Sequence, residues 1–186
     1  YYFFKNYTRK IRKRVIELLT ANTPNGKKIS IMLEEINYDY KVTKININKD
    51  EQFKPEFIKL SPFRKIPVII DYDNKQSLFE SGAILIYLGE KSGKFYDKDN
   101  RTIINQWLMG QMAYVGPMLG QHHQFHHYNP GKSKFGEERY FKISEKIYKE
   151  LDERLSSSPY LAGNDYTIAD IATFPWIARH EWHDIG

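Results

Sequence analysis

Apolar positions change their spacing near residue 100. Before it, short β-branched runs alternate with amphipathic stretches; after it, apolar residues recur at helical intervals. Residues 15–19, Val-Ile-Glu-Leu-Leu, predict a buried strand. Thr23-Pro24-Asn25-Gly26 is a turn, with Asn25 as the expected N-cap of the next helix. That helix carries Ile29, Met32, Leu33 and Ile36 at the i, i+3, i+4, i+7 positions of one face. Residues 40–47 are aromatic and β-branched and predict a second strand. Pro55 starts a short helix expected through residue 60, where Ser61-Pro62 stops it. Residues 68–70 and 77–79 predict two strands around Asp71-Tyr72-Asp73-Asn74. Residues 81–92 predict a helix closed by Gly93. The order is βαβαββα.

Residues 94–100 are polar and read as a linker. Beyond them Trp107, Leu108, Gln111 and Met112 fit one helix, which Gly116-Pro117 is expected to kink or end. Tyr140, Ile143, Ile147, Leu151 and Leu155 form the stripe of a long helix. Thr167-Ile168-Ala169-Asp170 has the form of a capping box, which gives Asp170 a structural task. The expected organisation is an arm over 1–14, an α/β domain over 15–93, a linker over 94–100 and a helical domain over 101–186, both ends being open to further chain.

Charge changes this picture at one end. The net charge of +5 comes from Lys5, Arg9, Lys10, Arg12, Lys13 and Arg14; the remainder holds 22 basic against 23 acidic residues. A single basic run is a weak signal, so nucleic acid is not an expected partner. The run is interleaved with Tyr1, Tyr2, Phe3, Phe4 and Tyr7, which suit packing on the body or on a partner. No Cys is present, which excludes a disulfide framework, a thiolate zinc site and a protein thiol nucleophile. The longest apolar run, residues 83–88, is far too short for a membrane span, and residues 15–19 are too short for a secretory signal. The expected compartment is the cytoplasm.

The candidate chemistry lies between residues 65 and 88. Ile66-Pro67, between a helix and a strand, is a candidate cis peptide, although a trans prolyl strand start is the commoner case. A cis bond would leave the Ile66 backbone N–H and C=O to pair with an extended ligand. Glu80 and Ser81 open the following helix. Its free N–H groups and the Ser81 hydroxyl attract a carboxylate, while Glu80 accepts from an ammonium. Together these suit a zwitterionic, peptide-like ligand better than a nucleotide or a metal.

These residues resemble a known family. The segments Thr23-Pro24-Asn25-Gly26, Glu51-Gln52-Phe53-Lys54-Pro55, Lys65-Ile66-Pro67, Phe79-Glu80-Ser81-Gly82-Ala83, Gly116-Pro117-Met118-Leu119-Gly120-Gln121, Glu138-Arg139-Tyr140 and Tyr166-Thr167-Ile168-Ala169-Asp170 are similar to those of soluble glutathione transferases. Among these, the bacterial Nu-class enzymes, glutathione-dependent disulfide-bond oxidoreductases, are the most alike. The resemblance runs from about residue 15 to the end. It implies an α/β thioredoxin-like N-terminal domain followed by an all-α domain, and usually a homodimer. It also implies that the backbone at Ile66-Pro67 pairs with the cysteinyl unit of glutathione, that Glu80 and Ser81 hold the γ-glutamyl head, and that Gln52 and Lys65 lie near the glycyl end. Arg139 would reach over the site from the helical domain toward a carboxylate of a second glutathione or substrate.

The same resemblance places Thr23 and Asn25 as the groups that stabilise the thiolate, since their hydroxyl, backbone N–H and amide are hydrogen-bond donors that can lower a thiol pKa of about 8.5. Without protein Cys, redox turnover would use glutathione itself as the thiol. Disulfide reduction is the expected reaction, with conjugation to an electrophile, or a non-catalytic regulator working through its basic arm, as alternatives. His122-His123-Gln124-Phe125-His126-His127 has i, i+4 histidine pairs, but no carboxylate flanks them in sequence, so no metal is expected. The resemblance puts this run in a loop beside the second-substrate pocket, with Tyr114 and Tyr128 as possible wall residues.

Overall fold

The computed structural model describes residues 16–186; the basic arm expected over 1–14 lies outside them. Strand β1, Ile16–Thr20, is buried throughout because it lies inside a four-stranded sheet of order β2-β1-β3-β4. It runs parallel to β2 (Tyr40–Lys44) and antiparallel to β3 (Val68–Asp71), which pairs antiparallel with β4 (Gln76–Phe79). The two-residue period sorts the side chains. Ile16, Leu18 and Ile69 enter the main core, whereas Leu19 and Val68 meet Ile45 and Phe57 in a smaller cluster. Glu17 points with Leu19, and its carboxylate accepts from Lys41 Nζ at 2.9 Å and from the hydroxyls of Thr43 and Tyr72. Burial, the largest single effect, pushes its pKa up, but these hydrogen bonds outweigh it and bring it down to about 2.

Strand β2 stops at Lys44 instead of residue 47. Asn46 turns the chain: its side chain accepts from Asn48 N–H, and its own N–H donates to Glu51 at 2.7 Å, starting a 3-10 turn at Ile47–Lys49. Helix α1 is Pro24–Glu35, and its N-cap is Thr23, not Asn25. Thr23 is extended, and its hydroxyl accepts from Gly26 N–H at 3.1 Å, with Pro24 in the first turn. Asn25 therefore lies inside the helix with its side chain available for tertiary contacts. Gly26 is required by a close approach: a Cβ there would collide with Thr20 Oγ1 and Ala21 O. Helix α2, Pro55–Ile58, ends before residue 60 because Leu60 and Ser61 N–H groups both turn back to Phe57 O. Helix α3 is Ser81–Ser92, closed by Gly93 at φ 68°.

Helix α4 (Arg101–Gly110) and helix α5 (Gly116–His123) join through a π turn, Gln111–Val115, and α5 continues into a second, Gln124–Tyr128. Gly116-Pro117 thus does not end the helix. The wider turn ahead of Pro117 accommodates its missing N–H and its ring, and it rotates Gln111 toward α1. The histidine run is likewise helical and not a loop. Helix α6 is Lys134–Ser157, capped by Ser133, and α7 is Ile168–Ile177. The capping box of α7 is formed, and Asp170 also accepts from Leu161 N–H at 2.9 Å, so its carboxylate is committed to structure.

One core spans both halves. Ile29, Met32 and Leu33 of α1 meet Ile104 and Leu108 of α4 and Ile168, Ile171 and Ala172 of α7. The expected linker is tied down, with Tyr96 buried and Phe95 O accepting from Ile168 N–H at 3.0 Å. The fold is therefore a thioredoxin-like α/β unit packed on a helical one. Among the described residues no helix is long and apolar enough to cross a membrane.

Candidate active site

Where α1 and α3 face α5 and α7, two adjoining cavities of 470 and 520 Å³ share Asn25, Lys65, Gly120 and Trp176. Each lies within the range of small-molecule sites, about 300–1,000 Å³. The first also holds Thr23, Gln52 and Ile66; the second holds Glu80 and Ser81. Of the expected wall residues, Tyr128 lines the first cavity, whereas Tyr114 lies in a separate 460 Å³ cavity; neither that one nor a further one of 550 Å³ holds any of the residues expected to contact glutathione.

The corner near Thr23 is rich in donors. Trp176 Nε1 on α7 donates to Asn25 Oδ1 at 3.0 Å, which occupies the amide oxygen and leaves the amide NH₂ for the cleft. Thr23 Oγ1 accepts from Gly26 and keeps its own O–H to donate. Such a corner suits an anion. Beside it, Ile66-Pro67 is cis, and Ile66 makes no backbone–backbone hydrogen bond among the described residues. Pro67 is buried behind Ile66 and lines neither cavity. Gln52 Nε2 donates to Ile47 O at 3.3 Å, and its enclosed Oε1 has no partner among the described residues. Lys65 stands exposed where the cavities meet.

At the start of α3, Glu80 has φ 68° and ψ 115°, a conformation costly for a residue with a Cβ and concentrated at functional sites. It is exposed, whereas Ser81 is only 5% exposed. Arg139 is not brought to the others: it is exposed on α6 and lines neither cavity.

Sequence reasoning missed Lys28, Gln111, Trp176 and Arg179. Lys28 Nζ is buried and donates to Gln111 Oε1 at 2.6 Å and to Ser81 Oγ at 3.4 Å. Its signal was legible, a lysine on the face of α1 that carries Ile29, Met32 and Leu33. Trp176 and Arg179, which lies over the Trp182 ring, reach the cleft only through the packing of α7 and gave no local signal.

The histidines are packed, not free. His123 lines the first cavity, with its ring stacked on His183 (centroids 4.7 Å apart) and on Trp176. Burial holds His123 and His183 neutral, with pKa values of about 4 and about 3. A carboxylate absent from the local sequence arrives by folding: Asp184 Oδ2 lies 2.9 Å from His122 Nε2 and 3.3 Å from His127 Nε2. Among the described residues these three are the group whose spacing a cation could bridge, their ligand atoms lying within 4.8 Å of one another.

Residues 15–90 match the family model described as glutathione S-transferase, N-terminal domain, and residues 117–186 match that of the C-terminal domain. The chain is 45% identical over 170 residues to the disulfide-bond oxidoreductase YfcG of Escherichia coli, covering 88% of this chain and 79% of that protein. A glutathione transferase from Burkholderia graminis, solved with two glutathione molecules bound per subunit, superposes with a TM-score of 0.86 at 39% identity. That likeness covers 92% of this chain and 75% of the relative. Another from Pseudomonas putida, solved with one glutathione disulfide per subunit, has a TM-score of 0.85 at 40% identity, covering 96% and 82%.

Proposed function

Since the chain belongs to the glutathione S-transferase family, we propose that it is a glutathione-dependent enzyme whose main reaction is disulfide reduction by a bound glutathione thiolate. The observation that carries the reading is the Asn25 amide. Its oxygen is held by Trp176, so its NH₂ and the Thr23 hydroxyl face the cleft as donors. A sulfur held there is favoured as thiolate, the form that attacks. Ile66, Glu80, Ser81, Gln52 and Lys65 surround that corner and give a tripeptide its backbone, head-group and glycyl contacts.

The chain supplies no thiol of its own, so both reducing equivalents come from glutathione. The thiolate attacks one sulfur of the substrate disulfide, forming a mixed disulfide and expelling the other half as a thiolate that takes up a proton. A second glutathione thiolate attacks the glutathione sulfur of that mixed disulfide, releasing the second thiol and glutathione disulfide. Relatives solved with two glutathiones or with the disulfide support the need for room for two tripeptides. Arg139 is proposed to serve the second tripeptide, and a homodimer in the cytoplasm, where glutathione is kept reduced, completes the reading.

The test is turnover of the disulfide of 2-mercaptoethanol with glutathione, followed through NADPH and glutathione reductase. Saturable turnover is expected. Turnover of an aryl halide with none of the disulfide would make conjugation the main reaction. Glutathione binding without either would make the chain a regulator. Light scattering of the eluting protein measures the dimer.

A further inference from the structure

Lys28 is 1% exposed, yet no carboxylate of the described residues lies within ion-pair distance of it. Its ammonium has Gln111 Oε1 at 2.6 Å, Ser81 Oγ at 3.4 Å and the Met112 sulfur at 3.9 Å. Gln111 is also 1% exposed, and having given its oxygen to Lys28 it keeps an Nε2 with no partner. Both line the cavity of Ser81 and Glu80. Three donor groups thus converge where nothing anionic is supplied by the fold. A buried, unpaired ammonium is strongly unfavourable, as is a buried amide donor without an acceptor. A single incoming carboxylate satisfies both.

We propose that Lys28 and Gln111, one from each half of the molecule, receive the α-carboxylate of the ligand's γ-glutamyl head, with Ser81 beside them and Glu80 taking its ammonium. The inference rests on the glutathione reading and deepens it. Closing a ligand between α1 and the π turn after α4 also ties head-group recognition to the fit between the two halves.

A proton accompanies the carboxylate. Burial brings the pKa of Lys28 down to about 7, against a smaller opposing attraction from Glu80. Among the described residues the only other titratable group lining the cavity is Lys65, at its mouth; α5 and the π turn contribute Gln111, Met112, Gln121 and Gln124, which carry no charge. The arriving anion favours the charged form of Lys28, so binding near neutral pH is expected to take up protons, and more of them as pH rises from 7 to 8.

The experiment is titration calorimetry in buffers of different ionisation enthalpy. The probe is S-methylglutathione, which has no thiol proton to lose, beside its analogue with γ-aminobutyrate in place of the γ-glutamyl unit. Wild type is expected to bind the analogue at least about 10-fold more weakly. Lys28→Met should lose affinity for S-methylglutathione by a similar factor, bind the two probes alike, and take up no proton. Gln111→Met, which keeps the ammonium, should weaken binding less and retain the uptake, so the inference does not depend on one variant's folding. Independent, additive losses from Lys28→Met and from the missing carboxylate would overturn the inference and leave the glutathione reading standing. A wild type that binds neither glutathione nor its S-methyl form overturns both.

Discussion

Asn25 and Ser81 differ in what they are expected to touch, and substitution separates them. Asn25 faces the corner proposed to hold the sulfur, where charge would develop, so Asn25→Ala is expected to lower kcat by ~10²-fold, the scale for one donor to a developing anion, and to raise the pH at which turnover becomes half-maximal. Ser81 is proposed to meet the head group, which would be bound equally before and during reaction. Ser81→Ala should raise KM by roughly 10-fold with kcat little changed. Trp176→Phe keeps the ring packing but drops the bond to Asn25 Oδ1; it should lower kcat more than it raises KM. Steady-state kinetics across pH distinguish these patterns. Ile66, Glu80 and Ser81 were legible as candidates because each belongs to a short segment with its own turn or cap chemistry, whereas Thr23 and Asn25 joined them only through the family resemblance. Trp176 was not, because nothing local to α7 says that an asparagine 151 positions earlier in the chain will meet it.

Elements carry that corner on close contacts. Gly26 lets the first turn of α1 lie against Thr20 and Ala21, so Gly26→Ala forces the β1–α1 loop outward. The expected result is a fall in Tm together with loss of turnover, since Thr23 and Asn25 move with the loop. Ala at Gly110, where a Cβ meets nothing, should leave both unchanged or raise Tm slightly. In the sheet, Glu17 is held ionised, with its pKa lowered to about 2. A carboxylate depressed in the folded state stabilises fully above its unfolded pKa of about 4.5 and loses that contribution as pH falls toward about 2. Thermal unfolding between pH 5 and 2 should therefore steepen with acid, and Glu17→Gln should flatten that slope. The strand and helix periods predicted these elements well at their centres. Their ends shifted where a side chain intervened, as Asn46 does after β2 and Thr23 before α1.

In the whole molecule, α1 packs on α7, and the core runs from Ile16 through Leu33 to Ile171 without a break. The protein is expected to unfold in one cooperative transition, with calorimetric and van't Hoff enthalpies equal. Two resolved transitions would show that the halves are thermodynamically separate. Two domains were legible from the change in apolar period near residue 100; their shared core was not, because periodicity identifies a buried face without saying what buries it. The sequence by itself determined the strand and helix order, the α3 cap at Gly93 and the capping box at Thr167, and it singled out Ile66, Glu80 and Ser81 as candidates for a peptide-like ligand. Each of these depends on residues a few positions apart, whose geometry is set by backbone sterics and local hydrogen bonds. Only the tertiary structure decided that Trp176 orients Asn25, that Lys28 meets Gln111 beside Ser81, and that Asp184 joins the histidines. Those contacts join groups 53 to 151 positions apart, and it is the packing of helices across one core, not any local preference of the chain, that brings them together.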